Sequence, residues 1–266
     1  YGAQKKLQQA TLDMIHAANH ILDEYEAKGH SMTLRQLYYQ FVARGFTGGV
    51  NNKAKYDQLG AVINTGRLQG LISWTALEDQ ERNVYGVRTY TNTSQCIAEA
   101  RGSYKMDLWA DQPWRPEVWI EKNALRGVIS NICTRLRVDF FSTKGYNSQS
   151  EQWRAGRRFA NYVRKGQRPI VFHLGDHDPS GIDMTRDNRE RLSMFAGVPV
   201  IVQRLALNMP QIEEFNPPPN YAKETDSRTA WYKEQYGETC WELDALDPIY
   251  IENLIRDAVL KVRDES

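Results

Sequence analysis

Pro169-Ile170-Val171-Phe172-His173-Leu174-Gly175-Asp176-His177-Asp178-Pro179-Ser180-Gly181 joins a short apolar run to a sharp acidic turn. The apolar run has the length and bounds of a buried strand. Pro179 and Gly181 bend the chain, and a helical pattern runs from Gly181 to Phe195. Working outward, the same unit recurs. Val118-Trp119-Ile120 is followed at once by Glu121-Lys122, then by a helix pattern from Asn123 to Leu136. Val138 to Ser142 and Val198 to Arg204 read as two more strands, Ser148 to Lys165 as a long basic helix, and Ile249 to Val262 as a last helix. Asn216 to Asn220 holds three prolines and is loop. Strands alternating with helices predict an α/β fold around a mostly parallel sheet.

The chain before this region has a different character. Leu7, Thr11, Met14, Ala18, Ile21 and Tyr25 recur at helical spacing up to Lys28-Gly29. Thr33 is placed to cap a second helix, Leu34 to Ala43, with Gln36 as capping-box partner. A third helix is expected over Lys53 to Ile63, then two short strands at Leu71–Thr75 and Val84–Val87. Three helices followed by a hairpin is a winged-helix order. Gly102 to Pro116 reads as a linker, which divides the chain into an N-terminal winged-helix domain, residues 1–110, and an α/β domain, residues 111–266.

Composition sets the outer limits. The 266 residues are 41 % hydrophobic and 25 % charged, and 7 Trp, 14 Tyr and 8 Phe exclude extended disorder. No run of 18 apolar residues offers a membrane span. Cys96, Cys133 and Cys240 have neither metal-site spacing nor even number, which suits a reducing cytoplasm. No signal peptide is legible, and the chain opens at Tyr1 rather than Met, so residues before it are expected. Net charge is only +1, but residues 122–168 carry 11 basic side chains against Asp139 and Glu151. Such a block either covers phosphates or forms the wet face of a helix.

Two constellations carry chemistry. Ligands of a parallel sheet gather at the carboxyl ends of its strands, where Glu121, Asp176 and Asp178 are expected. Three such carboxylates suit Mg2+, a hard cation that takes oxygen ligands. Alternatively, Asp178 caps the helix that follows it. Lys122 either contacts phosphate or neutralises these acids, and Asp183 favours the helix N-terminus. The second constellation lies in the helix after Thr33. Leu34, Leu37, Tyr38, Phe41 and Val42 form its core stripe, which leaves Tyr39 on the outer face with Arg35. A phenol there can attack phosphorus while the Arg steadies phosphate oxygens; the plain alternative is a Tyr packed over an Arg stem. His16 and His20 read as solvated helix surface, His173 as buried, and His177 as directed away from the two aspartates.

Taken together, these segments resemble the A subunit of topoisomerase VI and its meiotic double-strand-break relatives. Thr33-Leu34-Arg35-Gln36-Leu37-Tyr38-Tyr39 is similar to the family's nucleophile motif, although Gln36 stands where an acid is usual. Val118 to Lys122 and Asp176 to Asp183 resemble the two Toprim motifs, and Lys144-Gly145-Tyr146 the turn before the basic helix. The likeness covers about residues 30–205; Trp241 to Leu246 is family-like in appearance, and its Glu242 and Asp244 read either as further metal-site acids or, more simply, as surface acids. The resemblance implies a Rossmann-like Toprim domain after the winged helix and a type IIB topoisomerase-like transesterase. In it Tyr39 and Arg35 are catalytic, and Glu121, Asp176 and Asp178 hold Mg2+. It further implies double-stranded DNA as partner, a homodimer in which one subunit's metal site serves the other's tyrosine, and a separate ATPase subunit as a further partner. The basic helix, with Arg157 and Arg158, would then line the DNA channel. A hydrolytic Toprim nuclease, in which Tyr39 only contacts DNA, is the alternative; a non-catalytic DNA-binding protein is a third reading.

Overall fold

A computed structural model of the chain describes residues 7–30, 32–48, 50–77, 89–143, 145–221 and 228–264. It is mixed α/β. The N-terminal part is helical: α1 (Gln9–Glu26), α2 (Leu34–Ala43), α3 (Lys53–Leu68) and α4 (Thr93–Ser103). The rest alternates: β1 (Trp114–Ile120), α5 (Arg126–Leu136), β2 (Asp139–Ser142), α6 (Gln149–Arg164), β3 (Arg168–Leu174), α7 (Pro179–Ala196) and β4 (Ile201–Ala206). It closes with α8 (Met209–Phe215), β5 (Asn220–Tyr221), α9 (Thr229–Tyr236), β6 (Thr239–Cys240) and α10 (Pro248–Lys261).

The sheet is wholly parallel, in the order β2-β1-β3-β4. Helical crossovers cover it, so its central strands are apolar on both faces, as a parallel sheet requires. One face packs Val118, Ile120, Phe172 and Leu174 against α5 and α10; the other packs Trp119 and Val171 against Phe159 of α6 and Leu192 of α7. Pro116 sits inside β1 beside Ile170 of β3 but before the pairing with β2 begins at Glu117, so its missing N–H costs no ladder bond. The α6–α7 contact is close: a Cβ on Gly156 would fall 2.4 Å from Phe195 Cβ.

The N-terminal helices have their own core of Ile15, Leu22, Tyr25, Leu37, Phe41, Leu59 and Ile63. Thr33 and Gln36 form the expected capping box. This core is tied to the α/β part of the chain. Tyr25 Oη donates to Asp247 Oδ2 at 2.6 Å, His30 Nε2 lies 2.9 Å from Glu252, and Asn131 Nδ2 donates to Gly29 O at 3.3 Å.

Two expectations change. Leu71–Thr75 is not a strand: Leu71 N–H returns to Gly66 O to finish α3, and Ser73 and Thr75 form a hydroxyl-bonded turn. The nearest extended pairing is an isolated bridge between Met32 and Leu77. The partner strand Val84–Val87 lies outside the described residues. The expected linker is anchored rather than loose, because Trp109 is buried in the sheet's core and donates its Nε1 to Leu136 O at 2.9 Å. No helix among the described residues is long and apolar enough to cross a membrane.

Candidate functional site

β1 and β3 are neighbours with Ile120 opposite Leu174, so the residues that follow them emerge side by side. Glu121 Oε2 accepts the Asp176 N–H at 2.9 Å. Asp176 accepts the Leu243 N–H through Oδ1 at 2.8 Å and pairs through Oδ2 with Lys122 Nζ at 2.7 Å. Asp178 is the N-cap of α7, its Oδ1 accepting the Gly181 N–H at 2.6 Å. Gly181 is needed there, since a Cβ would lie 2.2 Å from Asp176 O. Arg204, which the sequence did not mark, steadies the loop by donating to the carbonyls of Gly175, Asp176 and Gly181. Its signal was a basic residue within the largely apolar run Ile201 to Ala206. His177 turns away from the acids, as expected, and its backbone pairs with Trp241 while Nδ1 meets Tyr232 Oη at 2.7 Å. His173 is buried, and His16 and His20 are exposed, also as expected.

Burial and mutual repulsion dominate the electrostatics of this edge. Desolvation, and then the charge of Asp176, push Glu121 up to about 8. Burial also raises Asp176, against the pull of Lys122. Burial opposes the charge on Lys122, but Asp176, Asp244 and Glu242 outweigh it and hold the ammonium well above its usual pKa.

The tyrosine lies beside this edge. Tyr39 was expected on an exposed face, yet it is 4 % exposed. The face of α2 that carries Arg35 and Tyr39 packs on the turn Leu243–Ala245, which no local periodicity reveals. Arg35 Nη2 donates to Tyr39 Oη at 3.4 Å and to Glu242 Oε2, and Arg35 Nε lies 3.1 Å from Asp244 Oδ2. Glu242 Oε2 also meets Lys122 Nζ at 3.2 Å. Burial, then the charges of Asp244 and Glu242, raise the Tyr39 phenol above its ordinary value despite Arg35.

Glu242 and Asp244 are therefore not free surface acids. Asp244 is 2 % exposed, neither of its oxygens accepts a well-formed hydrogen bond, and burial lifts its carboxyl to about 7. A cavity of about 230 Å³ opens alongside, lined by Arg35, Tyr39, Asn51, Lys53, Tyr56 and Glu242.

Two further expectations are corrected or refined. Arg158 is half-exposed but bound to the fold: its guanidinium grips buried Glu117 through Nε at 2.7 Å and Nη2 at 2.9 Å. Arg157, one residue earlier, is exposed. Asp183 lies in α7 but serves side chains, pairing with Arg186 and Arg228 and accepting from Tyr146 Oη. Lys144 lies outside the described residues.

The donors at this edge are all carboxylate oxygens, and the raised Glu121 and Asp244 mark an excess of buried negative charge, which suits a hard divalent cation. Among the described residues no three acids, histidines or cysteines converge on one ion-sized position; Lys122 Nζ fills the space between Asp176 and Glu242. An arriving cation must displace that ammonium. Compared with protein-family models, curated proteins and solved structures, the chain matches none of them.

Proposed function

We propose that this chain is a Mg2+-dependent DNA-cleaving transesterase, in which a winged-helix segment presents Tyr39 and a Toprim segment presents Glu121, Asp176 and Asp178. What supports the reading is an unbroken line of contacts, Tyr39–Arg35–Glu242–Lys122–Asp176–Glu121, which joins a phenol to a carboxylate cluster through two cations.

Tyr39 Oη bonds to a backbone phosphorus, and the bond from that phosphorus to the 3′ oxygen breaks. The products are a 5′-phosphotyrosyl link and a free 3′-hydroxyl, so one phosphodiester replaces another. Arg35 faces the phosphate oxygens beside Tyr39 and offsets their growing charge. Glu242, which shares Arg35 Nη2 with the Tyr39 hydroxyl, is the nearby carboxylate that would take the phenolic proton, while the leaving 3′ oxygen takes one from solvent. Glu121, Asp176 and Asp178 would hold Mg2+, which when bound supplies Lewis-acid stabilisation of the phosphate and the leaving oxygen. Double-stranded DNA is the partner in this reading. A homodimer would cut both strands, with an ATPase subunit as the class of partner that would couple the cut to strand passage.

The burial of Tyr39 favours a second reading, a hydrolytic nuclease in which the tyrosine is structural. Supercoiled plasmid, Mg2+ and a detergent stop, run with and without protease, separate the two. Cuts that carry covalent protein and vanish in both Tyr39→Phe and Asp176→Ala are expected. Protein-free cuts that persist in Tyr39→Phe but vanish in Asp176→Ala would establish the hydrolase instead.

A further inference from the structure

We infer that the cavity beside Tyr39 receives one swung-out nucleotide of the DNA strand, so that the substrate is a duplex with a single base displaced at the point of attack. This rests on the reading of Tyr39 as the nucleophile and names the form of DNA it would meet.

The starting point is a conflict. Tyr39 is 4 % exposed, yet as a nucleophile its hydroxyl must reach a backbone phosphorus. Tyr39 lines a cavity of about 230 Å³, bounded mainly by α2 and the start of α3 together with Asn220 and Glu242. A space of that size takes one base with its sugar and excludes a base pair. A strand that brings its phosphate to Tyr39 through this cavity must therefore give up the pairing of one nucleotide. Such flipping costs least where the base is already mismatched or unpaired.

The walls suit this occupant. Tyr39 and Tyr56 supply aromatic surface on which a base can stack. Lys53, exposed and also lining the cavity, offers a cation to a flanking phosphate. Two neighbouring asparagines are used differently. Asn52 caps α3, its Oδ1 accepting the Lys55 N–H at 2.9 Å. Its backbone N–H donates to Tyr38 Oη at 2.9 Å, and its carbonyl accepts from that hydroxyl at 3.0 Å. These bonds fix the start of α3 against α2, and the Tyr38 and Tyr56 rings meet edge to face at 5.4 Å. The cavity wall is thus built before any ligand arrives. Asn51 lines the same wall, but its Nδ2 has no hydrogen-bond partner among the described residues. A buried amide without a partner is costly, and its last torsion is soft, so it can turn to meet an acceptor on a base edge.

The deciding experiment is a binding measurement in EDTA, with no cleavage. The full chain is titrated into a short duplex that carries 2-aminopurine either paired or as a single-nucleotide bulge, and into the free 2-aminopurine deoxyribonucleoside monophosphate. The bulged duplex is expected to bind at least ~10-fold more tightly than the paired one, the scale of one base–aromatic contact, and its base should become shielded from acrylamide. Asn51→Leu and Asn51→Asp should each remove most of that preference without moving the urea midpoint; the wild-type comparison stands without either variant. Equal affinity for the two duplexes, a bulged base still open to acrylamide, or a preference that survives both substitutions would overturn the inference. Free nucleotide that binds as tightly as the bulged duplex would overturn it in favour of a soluble nucleotide as occupant. The two readings fail separately. Cutting that survives Tyr39→Phe would sink the nucleophile reading and leave base capture standing, whereas covalent cuts with no preference for the bulge would sink base capture alone.

Discussion

Arg158→Met tests whether the basic helix α6 spends this arginine on the fold or on DNA. Glu117 is 2 % exposed and accepts three hydrogen bonds: two from Arg158, at 2.7 and 2.9 Å, and one from Trp119 Nε1 at 3.0 Å. Truncating one partner of a buried ion pair costs about 3–5 kcal/mol, because the remaining charge stays in a poor solvent. The Arg158 side chain is 39 % exposed, so water screens part of that term, and about 2–3 kcal/mol is the expected loss. Adding Glu117→Gln removes the stranded charge and keeps an acceptor for Trp119, so the double variant should recover about half of the loss or more. Urea unfolding at pH 7.5, followed by circular dichroism on the four proteins, measures this. DNA binding across a salt series runs beside it, with Arg157→Gln as the exposed neighbour. Arg157→Gln should weaken binding and reduce the salt slope by about one, with little change in stability. If Arg158→Met instead costs under about 0.5 kcal/mol and carries the change in salt slope, the assignment of Arg158 to Glu117 is wrong.

Other consequences are equally direct. Lys122→Gln takes away the ammonium that sits between Asp176 and Glu242, so Mn2+ affinity read by spin resonance should rise at least ~10-fold; unchanged affinity would place the cation elsewhere. His173 is buried, and desolvation lowers it from 6.5 to about 3. The folded state therefore resists a proton that the unfolded chain accepts, so stability present above pH 6.5 is lost as pH falls toward 3. At pH 5 this one group accounts for about 2 kcal/mol, and His173→Gln should remove that share of the slope of unfolding free energy against pH. Gly156→Ala sets a methyl 2.4 Å from Phe195 Cβ and should cost about 1–2 kcal/mol in a urea melt, despite the better helix former. A neutral result would mean that α6 and α7 separate freely.

Much of the fold was legible because its signals are local. Thr33 with Gln36 announced the start of α2, the apolar runs before Glu121 and Asp176 announced β1 and β3, and Pro179 with Gly181 announced the turn into α7. Each of these is settled within a window of about ten residues by hydrogen-bond spacing and hydrophobic period. Parallel pairing of two strands that both end in acids then leaves Glu121 and Asp176 few positions other than side by side.

What lay beyond the sequence depends on surfaces far apart in the chain. Helical geometry placed Tyr39 outside the core stripe of α2, and it does lie outside that stripe; it is buried because a turn 200 residues later covers the second face. Arg35 and Glu242 meet across 207 positions, and Arg158 leaves the basic face for Glu117 across 41. A charge in a sequence has no partner until the backbone closes. The alternation of strands and helices is written residue by residue, whereas the choice of which acid faces which cation is made only when the packed layers exclude water and every buried charge must find its opposite.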